Sequence, residues 1–347
     1  LRKFRDKDYV ETCEGWFFCV VGESHPHDRL VAYLKYLPGD GAWSRQGKSF
    51  KRTICAYSMQ ELVNTIDFLK KNKPEYVFYD ETVGAEMSCV PLTRISKYYR
   101  CDERLREIVE SDRLDELESK TKELVESISE VSGVDIKNMG ITGSILLKIH
   151  HPKSDIDLVV YGKNNFWKAL QSLHSINDVK PLDELRLNEW VSKASAKYPL
   201  STNTLSKLAK LLRNKYIYKG TPFSIHGIRL DEEVIRSYGE VKYRSLGLAK
   251  IRAVISDASE SCFTPAIYRV SNVETEQKHA KDVEALASFD GTFTAMFDEG
   301  TRIEAFGKVE LVIDLRGGRS FKWLLIGTFE GMGREYVIPT EGLSLSR

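Results

Sequence analysis

The apolar positions change rhythm along the chain, and each rhythm predicts a different kind of element. Trp16–Val21 and Leu30–Leu37 are short runs rich in aromatic and β-branched residues. Turn-prone Gly22–Asp28 parts them, which predicts two strands joined as a hairpin. Pro38-Gly39-Asp40-Gly41 predicts a loop after the second run. Ser58 and Glu61 form a capping-box pattern ahead of Leu62, Ile66 and Leu69, a helical face that Pro74 stops. Between Asp102 and Val131 the period is helical, with a break near Ser111-Asp112. Leu114, Leu117, Leu124, Val125, Ile128 and Val131 make the apolar stripe, and Gly133 is placed as a stop. Phe166–Leu173 predicts another amphipathic helix. Gly220–Leu230, Val241–Val254 and Tyr268–Val273 read as strands. From Asp290 to Pro339, short strands are punctuated by Gly-containing turns, which suggests a small barrel or sandwich.

The densest chemistry lies in Gly140–Gly162, GITGSILLKIHHPKSDIDLVVYG. A short strand ends at Gly143-Ser144, ten residues intervene, and a second strand opens on Asp155-Ile156-Asp157. Carboxylates two residues apart on a strand share one face. Mg²⁺ prefers oxygen ligands and is usually held by one or two carboxylates together with substrate phosphates. Asp155 and Asp157 are therefore the candidate metal ligands for Mg²⁺ or Mn²⁺. Ser144 opens a helical turn whose free N–H groups favour an anion, and Gly143 allows close backbone approach. Lys148 and Lys153 are candidates for neutralising a triphosphate.

On these residues the chain resembles the DNA polymerase β-type nucleotidyltransferase superfamily. Within it, the segment is similar to archaeal predicted nucleotidyltransferases that carry the catalytic domain between β-rich flanks. The resemblance implies a small mixed sheet backed by helices, with Gly143 and Ser144 at the triphosphate and Asp155 and Asp157 on the metal. It also implies a third carboxylate from a later strand. The strand Pro222–Leu230 has no acid inside it. Its mid-strand polar residue is His226, a poor Mg²⁺ ligand. Asp231 at its end is the candidate third catalytic acid, with Glu232 and Asp183 as weaker choices.

Charge adds a second feature. The chain carries 51 basic and 50 acidic residues, yet Val191–Lys219 holds Lys193, Lys197, Lys207, Lys210, Arg213, Lys215 and Lys219 without one acid. With Tyr198, Tyr216 and Tyr218 interleaved, this stretch suits a phosphate backbone and stacked bases. Lys207, Lys210, Arg213 and Lys215 are the candidate nucleic-acid contacts, the other reading being a solvated basic face. The six cysteines are scattered without metal-site spacing and read as buried free thiols of a reducing cytoplasm. His25 and His27 lack a third ligand nearby and read as a solvated turn. No membrane-length apolar run and no signal-peptide pattern is visible.

At 347 residues several domains are expected. The expected fold class is α+β multidomain. It comprises an N-terminal mixed α/β module (1–100), a nucleotidyltransferase-like domain (101–233) and a C-terminal small β-barrel or sandwich (234–347). The expected activity is Mg²⁺-dependent transfer of an NMP from an NTP to a hydroxyl acceptor on RNA. The alternatives are a catalytically degenerate nucleotide- or nucleic-acid-binding regulator and a structural cation site.

Overall fold

A computed structural model describes residues 4–55 and 58–340. The N-terminal unit is a seven-stranded sheet: β1 (Tyr9–Thr12), β2 (Phe17–Val20), β3 (Arg29–Arg45), β4 (Lys48–Arg52), β5 (Val77–Asp80), β6 (Ala85–Pro91) and β7 (Ile95–Tyr99). Its order is β5-β6-β3-β2-β1-β7, with β4 on β3. The hairpin expected from the first two apolar runs is β2–β3. The loop expected at Pro38–Gly41 is instead an interruption within a longer strand. Pro38 and Trp43 both pair with Phe50, so the intervening residues bulge out and β3 resumes beyond them. Gly41 fits there because any Cβ would collide with the Phe50 carbonyl. Helix α1 (Met59–Asn72) starts where Ser58 Oγ accepts from Glu61 N.

Two helices lead into the central unit. They are α2 (Cys101–Glu110) and α3 (Glu116–Ser132), separated at Ser111 and ended by left-handed Gly133, as the periodicity and glycine predict. Next come β8 (Met139–Ile141), the short turn α4 (Gly143–Leu146), β9 (Ile156–Tyr161), α5 (Lys163–Ser172) and β10 (Val179–Pro181). Then follow α6 (Glu184–Ser195), α7 (Thr202–Ala209), β11 (Lys215–Tyr218) and β12 (Thr221–Ile228). The five strands form a mixed sheet ordered β10-β11-β12-β9-β8, in which β9 and β12 run parallel.

Alternation along β9 decides what each face does. Ile156, Leu158 and Val160 enter a core with Leu105, Leu124, Ile128 and Phe166 from the helices. Val159 and Tyr161 point the other way and pack with Tyr9, Phe17, Tyr36 and Tyr99 of the N-terminal sheet. Each fully buried side chain of this size contributes about 1.5–3 kcal/mol. Asp157 shares the parity of Val159 and Tyr161, so the carboxylate looks towards the N-terminal sheet.

The C-terminal unit comprises β13 (Val241–Asp257), β14 (Ala266–Glu274), β15 (Val283–Ser288), β16 (Arg302–Asp314), β17 (Ser320–Ile326) and β18 (Tyr336–Pro339). β13 pairs with both β14 and β16, and the ladder β14-β15-β17-β16 closes the ring. The result is a five-stranded barrel with β18 added at its side, the connectivity of OB-type Greek-key barrels. Val191, Tyr198, Leu205 and Leu208 of α6, α7 and the loop between them join the barrel's core cluster. No helix among the described residues is long and apolar enough to cross a membrane. The described cysteines are all free, four buried and two exposed.

Candidate active site

The strands β8 and β9 are tied where the motif begins, because Thr142 N donates to the Asp157 carbonyl at 2.9 Å. Gly143 follows with φ +68°, and a Cβ there would run into Asp157 Oδ2. Glycine is needed for both reasons, the left-handed backbone and the close approach. Asp155, Asp157, Thr142 and Gly143 all line a cleft of about 1380 Å³, to which the N-terminal sheet, the central sheet and the barrel each contribute a wall. Ser144 is buried directly behind this surface and does not line it.

The strand register identifies the neighbour of the aspartates. On β12, Ser224 stands level with Asp157, and His226 stands level with Val159. Ser224 Oγ donates to Asp157 Oδ1 at 2.7 Å and lies 2.8 Å from His226 Nε2. Since the serine proton goes to the carboxylate, the ring donates from Nε2 and keeps Nδ1 as an acceptor. Burial and then the charge of Lys7 push His226 down to about 3, so the ring is neutral at physiological pH. Asp155 is raised, first by the charge of Asp157 and then by burial. Burial opposes ionisation of Asp157 too, but the Ser224 hydrogen bond and the charges of Lys35 and Lys215 hold it below the usual carboxylate range.

Asp231 is not brought to this pair. Because β12 is parallel to β9, the acidic end of β12 lies beyond the Ile228–Tyr161 pairing, at the opposite end of the sheet. Ile228 is already four residues past Ser224, about 13 Å at strand rise. Asp231 pairs there with Arg5 at 2.9 Å. Asp183 caps α6 through Arg186 N. Glu232 is exposed on the turn after β12.

The predicted lysines also separate. Lys148 pairs with Glu107 at 2.9 Å, and exposed Lys153 sits on the turn that His151 closes; neither lines the cleft. Of the basic stretch, Lys193, Lys197 and Lys215 line the cleft, and Lys197 is held by Asp290. Arg213 pairs with Asp298, and Lys219 with Glu123. Lys207 and Lys210 are exposed at the end of α7. The three tyrosines are core residues, at most 7% exposed, so they offer no stacking face. His25, expected in a solvated turn, is half-buried and pushed by burial down to about 4, with Nδ1 accepting from Val31 N.

Residues overlooked in the sequence complete the cleft. Lys7, Lys35 and Arg52 come from the N-terminal sheet and its leading segment, and each interacts electrostatically with Asp157. Burial and then Arg52 depress Lys35 to about 8. One signal was available: Lys35 interrupts an apolar strand, and a lysine on a buried strand face is rare without a purpose. A second group, Asp115, Glu118 and His150, gathers within 4.8 Å, but its atoms serve local structure. Asp115 and Glu118 form the capping box of α3, Glu118 also pairs with Arg104, and His150 bonds Asp115.

A metal at Asp155 and Asp157 fits this donor set. Both groups are hard oxygen ligands, they repel each other enough to raise Asp155, and Gly143 leaves the space beside Asp157 open.

Comparison with known proteins agrees with this geometry. A family model described as a nucleotidyltransferase domain matches residues 120–219, which include the glycine turn and both aspartates. Over 345 residues the chain is 32% identical to an uncharacterized protein of Methanocaldococcus jannaschii, covering 96% of this chain and 98% of that protein. No solved structure matches this chain. The likeness to the archaeal protein runs through all three units, and the domain match falls on the motif. The chain therefore belongs to the polymerase β-type nucleotidyltransferase superfamily, in one family with that archaeal protein.

Proposed function

We propose that the protein transfers an NMP from an NTP to a hydroxyl acceptor at an RNA end, using Mg²⁺ or Mn²⁺ held by Asp155 and Asp157. One observation carries this reading: the two aspartates and Gly143 meet on the sheet face that looks into a shared, cation-lined cleft. Bound there, the divalent ion supplies charge neutralisation of the triphosphate and of the oxygens that change partners. Gly143 admits the nucleotide backbone to the carboxylates. Ser224 fixes the orientation of Asp157 through the 2.7 Å bond, and neutral His226 supports Ser224 in turn. Lys215 adds positive charge beside the pair.

Support for RNA is of a different kind. The cleft exceeds the roughly 300–1,000 Å³ of an ordinary small-molecule pocket, leaving room for a second substrate beside the nucleotide. Five-stranded Greek-key barrels of this connectivity bind oligonucleotides in other proteins, which is an argument from fold analogy. Lys207 and Lys210 are exposed and available to a phosphate backbone.

A second reading has its own observation. Ser224 occupies the strand position level with Asp157, and no carboxylate stands inside β12. A site with two acids suits a protein that binds nucleotide for regulation. The deciding experiment incubates the protein and Mg²⁺ or Mn²⁺ with each α-labelled NTP, offering total RNA, tRNA and the protein itself as acceptors. Transfer that disappears in Asp155→Asn and Asp157→Asn supports the transferase. Tight NTP binding with no transfer to any acceptor supports the regulator.

A further inference from the structure

The cations opposite the aspartates come from outside the matched domain. Lys7 sits on the segment before β1 with a left-handed backbone, φ 67°. Its carbonyl accepts Thr142 Oγ1 at 2.6 Å, and its N–H donates to the Val20 carbonyl at 3.1 Å. A non-glycine residue is held in this conformation only when its surroundings over-determine it, and here one of the constraints is the residue just before Gly143. Lys35 projects from β3 and is 5% exposed. Arg52, opposite Tyr36 in the β3–β4 ladder, holds its guanidinium 5.3 Å from the Trp43 ring centroid and 5.9 Å from that of Tyr36. All three line the cleft.

Three cations gathered at one place, Lys35 buried and Lys7 and Arg52 half-buried, repel one another, and an apolar side chain at Lys35 would avoid that cost. Lys35 in particular is disfavoured by both Arg52 and Lys7. Among the described residues, the acids facing this group include Asp6, 3.6 Å from Lys7, and the Asp155–Asp157 pair. A metal on that pair would spend the charge the lysines now answer. An incoming polyanion then restores the balance. Guanidinium and ammonium groups are the usual donors to phosphate oxygens.

We propose that Lys7, Lys35 and Arg52 form a phosphate-binding site on the N-terminal unit, facing Asp155 and Asp157 across the cleft. The site takes either the terminal phosphates of the nucleotide or a phosphate of the acceptor. It rests on the reading of the cleft as a nucleotide site, and it makes the N-terminal sheet one half of that site.

The test is calorimetric titration of the full chain with inorganic tripolyphosphate, with an NTP and with the matching NMP. A fourth titrant is a short RNA prepared with and without a 5′-phosphate. The variants are Lys35→Met, Arg52→Gln and Lys7→Gly, with exposed Lys71→Met as control. Glycine suits the left-handed backbone at position 7, so Lys7→Gly removes the ammonium and keeps the fold, which a thermal melt verifies. Each site variant is expected to weaken one phosphate ligand about tenfold or more, and Lys71→Met to weaken none. Loss confined to tripolyphosphate and NTP assigns the site to the donor, and loss confined to 5′-phosphorylated RNA assigns it to the acceptor. Unchanged affinity for every titrant in folded Lys7→Gly and Lys35→Met overturns the proposal. Since no turnover is involved, a phosphate site that depends on these residues stands even if the protein transfers nothing, and then only the transferase reading falls.

Discussion

Two sets of basic residues bear on this molecule, and they differ in the relation between sequence and space. Val191–Lys219 concentrates seven cations in 29 residues without an acid, yet the fold disperses them. Lys197 answers Asp290, Arg213 answers Asp298, Lys219 answers Glu123, and Lys207 and Lys210 face solvent. Lys7, Lys35 and Arg52 are spread over 46 residues among acids and aromatics, yet they converge on Asp157. Charge density along a chain is thus a poor guide to charge density at a site. What counts is which sheet face a cation leaves, and what waits on the surface opposite.

The largest expected effect separates the two sets by stability. Lys35 has its folded-state proton affinity depressed to about 8, against an ordinary 10.5. Its contribution to stability is therefore full only above the unfolded value and is lost as pH falls through 8. The Lys35 component of the ligand-free protein's stability should rise between pH 8 and 10.5. Lys35→Met should erase that rise and stabilise the protein at pH 7 by about 1–3 kcal/mol. Urea unfolding of the wild type and Lys35→Met across pH checks this, and a difference between the two that is flat from pH 8 to 10.5 contradicts it. Lys207→Met, on the exposed helix end, should stay within about 0.5 kcal/mol throughout.

Gly143→Ala comes next. The methyl group meets Asp157 Oδ2 in a backbone conformation that L residues disfavour, so about 1–3 kcal/mol of stability should be lost. The loss should be smaller in Gly143→Ala/Asp157→Ala than the two single changes imply, since the second substitution removes the collision. Strict additivity would mean the strain is in the backbone alone.

Smaller still is Arg213→Gln, which removes a partly exposed pair with Asp298. Solvent screening limits the cost to about 1 kcal/mol, readable as a small shift in melting temperature. The least effect on the fold should come from Lys207→Glu/Lys210→Glu. If these residues neutralise RNA phosphates, the slope of log affinity against log salt should flatten by about 1.4, which is about 0.7 for each single-strand phosphate no longer neutralised. An unaltered slope removes them from the RNA-binding surface.

Legibility followed the range of the interactions. Gly143, Asp155 and Asp157 could be read because adjacent strands and a period of two bring them together over 15 residues. Helices α2 and α3, their break and their Gly133 stop were equally local. The barrel's short strands were visible in the turn glycines after Asp290, but the β13–β16 pairing that closes it spans about 60 residues and leaves no local trace. Asp231 was the nearest acid in sequence to the β12 strand. The parallel direction of that strand, set by pairing across 67 residues, carries it to the wrong end. Tyr198, Tyr216 and Tyr218 looked available because aromatic residues beside lysines suit nucleic acid. The apolar side of α6, α7 and β11 needed them for packing instead. The N-terminal wall of the cleft was the least legible part, since Lys7, Lys35 and Arg52 lie more than 100 residues from the aspartates they face.

The central claim is that Asp155 and Asp157 support nucleotidyl transfer in the cleft between the N-terminal and central sheets. The most direct test is label transfer from an α-labelled NTP to RNA in the presence of Mg²⁺ or Mn²⁺, comparing the wild-type chain with folded Asp155→Asn and Asp157→Asn. Transfer by the wild type is expected, with a loss of about 100-fold or more in each variant. Equal transfer by all three proteins, or none by the wild type with any NTP and acceptor, contradicts the claim.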